Sequence, residues 1–134
     1  MAENFFNSLL SGNIIDAPEK VKGVFCKKFP DAINVEWMVD GAGYESVFYE
    51  HETEKIARFT TDGDWLETYI NLEISALDEL VRKSSEQYGE IMNAIRIDSR
   101  EGTQFEMIVR DTGLKRYLLF VSPDGVVKNH GLIA

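Results

Sequence analysis

The chain has 134 residues, with 14 basic and 23 acidic side chains, a net charge of −9 and a pI near 4.7. Such a field repels phosphate backbones and anionic lipid surfaces, so nucleic acid is not an expected partner. Hydrophobic residues at 44% and charged residues at 28% are ordinary for a folded domain, and this length buries roughly two-thirds of the unfolded surface without a metal or disulfide staple.

The segment from Met1 to Asn13 carries Phe5, Phe6, Leu9 and Leu10 but no basic start and only a short, broken apolar run. It does not read as a signal peptide, and its spacing suits a short amphipathic helix docked on the body. No run approaches the ~20 apolar residues of a membrane span. Asp16-Ala17-Pro18-Glu19 then reads as a helix start, with a side-chain oxygen placed to accept free amide protons and an acid three residues on. Val21, Val24, Phe25 and Phe29 recur at helical spacing, which predicts a helix over 17–29 that stops at Pro30. Lys20, Lys22, Lys27 and Lys28 lie between these positions as a solvated face, and Cys26, the single cysteine, is expected to pack.

Four alternating segments follow: Val35, Trp37 and Val39; then Val47 and Tyr49 or Tyr44 and Phe48; then Ile56 to Phe59; then Trp65 to Ile70. Asp40-Gly41-Ala42-Gly43, Glu52-Thr53-Glu54 and Asp62-Gly63-Asp64 separate them as turns. Short turns impose an antiparallel meander, since parallel pairing needs long crossovers.

The pattern then repeats. Ser75-Ala76-Leu77-Asp78 stands 59 residues after Asp16-Ala17-Pro18-Glu19, and Leu77, Leu80, Val81, Ser84 and Tyr88 form a second helical stripe. Strands are predicted at Ala94 to Ile97, Phe105 to Val109, Tyr117 to Val121 and Val126 to Lys128, with turns at 99–102, 111–113 and 123–125. The expected fold is therefore α+β: a single domain built of two diverged helix-plus-four-strand units, about 16–71 and 75–131. Side by side they would form one eight-stranded antiparallel sheet with both helices on one face, leaving the other face bare.

The run Pro18, Phe25, Phe29-Pro30, Ala32, Val35-Glu36-Trp37, Gly43-Tyr44, Phe48, Phe59, Asp62-Gly63 and Trp65-Leu66-Glu67-Thr68 resembles the PepSY-like, or beta-lactamase-inhibitor-like, proteins of Bacteroidetes-type bacteria. The likeness extends over about residues 17 to 131 and is specific in the first unit. In the second, Tyr88-Gly89 stands in place of Phe-Pro and there is no tryptophan. The resemblance implies tandem helix-plus-sheet units and a non-enzymatic, extracytoplasmic protein, with no catalytic residues to carry over. Its members usually carry an export signal, which this sequence does not show, so a cytoplasmic location is the alternative expectation.

The residues themselves also argue against catalysis. Nucleophilic chemistry needs a base beside a serine or cysteine, and the two histidines, His51 and His130, sit at an expected strand end and near the C-terminus. Glu50, His51, Glu52 and Glu54 could bind a metal only if their turn folded back, because strand alternation separates neighbours. Asp62, Asp64 and Glu67 raise the question of calcium, but Asp-Gly is turn chemistry and the rest of an EF-hand loop is missing. No glycine cluster enters a helix to cradle phosphate, so no cofactor is expected.

Aromatic side chains carry the remaining signal. Trp37, Tyr44, Tyr49, Trp65 and Tyr69 fall in the first-unit strands, and period-two alternation places Trp65, Glu67 and Tyr69 on a common face. The expected function is a binding or scaffold module with Trp37, Tyr44, Trp65 and Tyr69 as anchors and Glu36, Glu45 and Glu67 as acidic contacts. The partner expected is a protein or peptide, preferably basic. The alternative is a small-ligand or cation sensor of the cell envelope that uses the acidic hairpins at 50–54 or 62–67. Edge strands leave self-association open.

Overall fold

The stripe begun by Val21 and Phe25 does form a helix, α1 (Glu19–Lys28), in a computed structural model that describes residues 14–133. The expected amphipathic segment with Phe5, Phe6, Leu9 and Leu10 lies outside the described residues. Pro18 supplies the N-cap, its fixed φ of −58° already suited to a helix entry, and no side chain caps the free amides. Asp16 pairs with the Lys22 ammonium instead of capping. The helix closes at Phe29, whose N–H donates to the Phe25 carbonyl at 2.8 Å, because Pro30 cannot extend the ladder. Val21, Phe25 and Phe29 are buried, whereas Val24 is 36% exposed, so the inward stripe is narrower than the spacing suggested. Cys26, expected to pack, is exposed: it follows Phe25 by about 100° around the helix and lands on the solvent side.

Five strands accompany α1 in the first unit: β1 (Ile14–Ile15), β2 (Ile33–Asp40), β3 (Gly43–Glu50), β4 (Thr53–Thr60) and β5 (Trp65–Leu72). Each pairs antiparallel with the next. The two-residue β1 adds to the four strands expected. The turn between β3 and β4 is tighter than 52–54: His51 and Glu52 occupy it with φ of 51° and 67°, and Thr53 and Glu54 already belong to β4. On the helix side, Trp37 stands opposite Ser46, Ser46 opposite Ala57 and Ala57 opposite Thr68. The small side chains in that row leave room for Phe25. Its ring lies 4.9 Å from Phe48, 5.2 Å from Trp37, 5.3 Å from Phe29 and 6.2 Å from Phe59, mostly edge to face.

Contacts divide the chain within β5, after Ile70, and the second unit has its own core. A single 3₁₀ turn (Ile74–Ala76) leads to α2 (Glu79–Glu86), followed by β6 (Glu90–Ser99), β7 (Gly102–Arg110), β8 (Arg116–Val121) and β9 (Val127–Leu132), again antiparallel in chain order. Ser75, expected as a cap, lies in the 3₁₀ turn; Asp78 holds the N-cap position and makes no side-chain cap bond. Val81 and Ser85 face the core with Leu77, while Leu80 is 61% exposed. Ile91, Ala94, Phe105, Met107, Val109, Leu119 and Val121 complete the cluster. Gly89 is required where β6 begins: with φ of 153°, a Cβ there would come within 2.5 Å of the Arg110 carbonyl oxygen.

Candidate functional site

Alternation along β2 to β5 sends a second set of side chains to the sheet face away from α1, and these build an acidic network around one cation. Met38, Glu45, Arg58 and Glu67 stand opposite one another across four strands. The Arg58 Nε donates to Glu45 Oε1 at 2.8 Å, and its Nη1 donates to Glu67 Oε2 at 3.0 Å and to the Tyr69 hydroxyl at 3.2 Å. Asp40 adds a third carboxylate 3.6 Å from Nε, and the guanidinium carbon lies 4.8 Å from the Tyr69 ring centre. Three acids thus share one guanidinium, which holds the place a bound cation would otherwise take. Burial raises the carboxyl of Glu45, which is only 5% exposed, against the pull of Arg58; the like charge of Asp40 pushes it the same way as burial. Met38, Val47 and Ile56 are also buried on this side, so this face is not bare.

The expected common face of Trp65, Glu67 and Tyr69 does not form. A β-bulge shifts the register between Arg58 and Phe59, so Trp65 stands opposite Phe59 while Glu67 stands opposite Arg58 and Tyr69 opposite Ile56. The extra residue breaks the period of two and turns Trp65 to the helix side. There it packs against the core, its Nε1 donates to Thr68 Oγ1 at 2.9 Å, and the Lys28 ammonium lies 3.8 Å from its ring centre. Trp37 is buried in the core and Tyr44 packs against it. Tyr69, Glu45 and Glu67 meet at Arg58, and Glu36 is half-buried on the same strand face as Met38. Tyr49, which pairs with Glu54, is half-buried.

In the second unit the face away from α2 carries an apolar group bordered by Asn93, Gln104, Arg110, Arg116 and Asn129. Glu106 stands between Ile95 and Phe120, and Ile108 between Asn93 and Leu118. Ile95, Ile108, Leu118 and Phe120 are all half-buried and lie outside the core cluster. Burial raises the Glu106 carboxyl, and no cation bonds to it among the described residues.

Among the described residues neither histidine meets a nucleophile. His51 Nε2 lies 3.2 Å from Asp31 Oδ2 at the surface, and the His130 ring lies 5.2 Å from that of Tyr88, tilted by 47°. Glu50, considered above for metal binding, accepts from Lys55 at 2.9 Å, and no three metal-ligating side chains converge among the described residues. No helix there is long and apolar enough to cross a membrane.

Solved structures share this arrangement of elements. A DUF2874 family protein from Bacteroides ovatus superposes with a TM-score of 0.79 at 21% identity, covering 88% of this chain and 89% of that one. A BLIP-like protein from Bacteroides fragilis gives 0.78 at 19% identity, covering 89% and 88%. The fold is BLIP-like. A second DUF2874 family protein, from Bacteroides uniformis, gives 0.79 at 17% identity over 87% and 90%. No family model and no curated protein matches the sequence.

In this BLIP-like fold, the residues that reading by alternation missed are Asp40, Arg58, Glu106 and the apolar group on β6 to β8. A signal was present for the last of these. Leu118-Leu119-Phe120-Val121 and Met107-Ile108-Val109 are unbroken apolar runs, and in a strand such a run puts hydrocarbon on both faces. Arg58 stands among Ala57, Phe59 and other core residues of β4, where a lone cation marks the polar side of the strand.

Proposed function

We propose that the chain is a non-enzymatic binding or scaffold module, taking a protein or peptide partner on the sheet faces turned away from its helices. The observation that carries this reading is the apolar face of the second unit, where Ile95, Ile108, Leu118 and Phe120 remain partly open beyond a core already complete without them. Aromatic and aliphatic side chains around a single acid have the composition of interface centres. Tyr69, Glu36 and Glu67 supply the corresponding contacts on the first unit. Trp37, Tyr44 and Trp65 contribute by holding the sheet that presents them.

The tandem origin of the two units and the kinship with PepSY-like proteins, which rests on the first-unit motifs, belong to the same reading. The test is retention of a partner from a bacterial extract by the immobilised chain, compared with a Phe120→Asn variant. A partner held by the parent and lost by a variant of similar melting temperature supports the module; equal retention by both removes this face from it. The alternative, a cation or small-ligand sensor, requires the melting temperature to rise with millimolar calcium, and an unchanged melt eliminates the calcium form of it.

A further inference from the structure

The apolar face of the second unit contains one feature that a simple hydrophobic contact does not need: the carboxylate of Glu106. Register sets it directly between Ile95 and Phe120, with Ile108 and Leu118 in the next row. Arg110, on this face, bonds Glu90 at 3.2 Å; Arg96, on the opposite face beside Phe105, bonds Asp98 at 2.8 Å; and Arg116 stands at the end of the face, opposite Arg110 and two rows from Glu106. A carboxylate held among hydrocarbon side chains loses hydration and gains no partner, so it lowers the stability of the free protein.

We propose that this face docks a segment of a protein partner that presents one lysine or arginine flanked by apolar side chains. The cation would seat on Glu106, and its apolar neighbours on Ile95, Ile108, Leu118 and Phe120. The inference rests on the binding-module reading and adds the chemistry of the partner. Charge complementarity selects the occupant: the chain carries a net charge of −9, and the acid on this face lacks a counter-ion among the described residues. A second copy of the chain seated with its two-fold axis at the centre of this patch would oppose Glu106 to Glu106 and supply no cation. A neutral or acidic segment would bury the same carboxylate uncompensated, so the acid also rejects wrong partners.

The experiment is an NMR titration of the full chain with two short capped peptides. One has a central lysine between isoleucines; the other has glutamine in place of that lysine. Both are added to the parent protein and to Glu106→Gln, which keeps the side-chain shape and removes the charge. The expected result is that the lysine peptide shifts amides of β6 to β8 and binds about tenfold more tightly than the glutamine peptide. In Glu106→Gln the two peptides become equal while the spectrum stays folded. Glu106→Asp, which keeps the charge, retains the preference.

Four results would overturn the proposal: a lysine preference that survives in Glu106→Gln, shifts that map away from β6 to β8, binding of neither peptide at millimolar concentration, or self-association through this face. Equal binding of both peptides to the parent on β6 to β8 would also overturn it while leaving the binding module intact. That reading falls separately, through the extract experiment.

Discussion

Arg58 shows how much one side chain can carry on a sheet face. It bonds Glu45 and Glu67, lies near Asp40 and stacks on Tyr69, so its removal strands a buried carboxylate beside two others. Arg58→Met should cost about 1–3 kcal/mol in urea unfolding, less than a fully buried pair, because a third of the Arg58 side chain remains in solvent. Ser46 is the opposite case. Its hydroxyl is buried in the first-unit core without a hydrogen-bond partner among the described residues. Ser46→Ala should therefore raise stability by about 1 kcal/mol in the same assay. Glu106 ties stability to pH. Burial raises its carboxyl above the usual 4.5, so the folded chain takes up its proton at higher pH than the unfolded chain does. The carboxyl thus costs nothing below the usual value and becomes destabilising as pH rises from there through the raised one. Glu106→Gln should melt above the parent at neutral pH, and the difference should close as pH falls below 4.5.

At the level of elements, turns and helix faces decide what could be read in advance. The β2–β3 and β6–β7 hairpins follow from Gly and polar turn residues between alternating runs, and each predicted strand is present. The β3–β4 turn was misplaced because it lacks turn chemistry: His51 and Glu52 adopt left-handed backbone without glycine or asparagine. That conformation costs an ordinary residue about 1–2 kcal/mol. His51→Asn with Glu52→Gly should accordingly raise the melting temperature. The bulge at Leu66, just after Trp65, is also illegible, because alternation carries no mark of an inserted residue. That single insertion moves Trp65, one of the four expected anchors, from the candidate surface to the core. Helix α1 was readable from Val21, Phe25 and Phe29, and Phe25 is its keystone. Phe25→Ala should cost about 3–5 kcal/mol, since four rings lose their common neighbour.

For the molecule as a whole, the acidic balance bears on how the proposed basic segment would arrive. With a net charge of −9, association with a basic segment should be steered over long range and slow steeply as salt rises, while dissociation changes little. Stopped-flow rates across a salt series would measure this. Composition makes that much legible, whereas the sharing of Asp40, Glu45 and Glu67 by one Arg58 becomes visible only with the strand register. The second unit keeps Glu106 unspent, which alternation alone could not reveal because burial depends on neighbouring strands.

Both tryptophans of the chain, Trp37 and Trp65, belong to the first unit, one inside its ring cluster and the other against it. Intrinsic fluorescence excited at the indole band is therefore a gauge of that unit alone. The second unit, cored by aliphatic side chains with Phe105, is silent to it and is followed instead by far-ultraviolet dichroism or amide exchange. A melt followed by indole emission records half of this protein, and agreement between that curve and the dichroism curve would demonstrate that the two halves unfold as one.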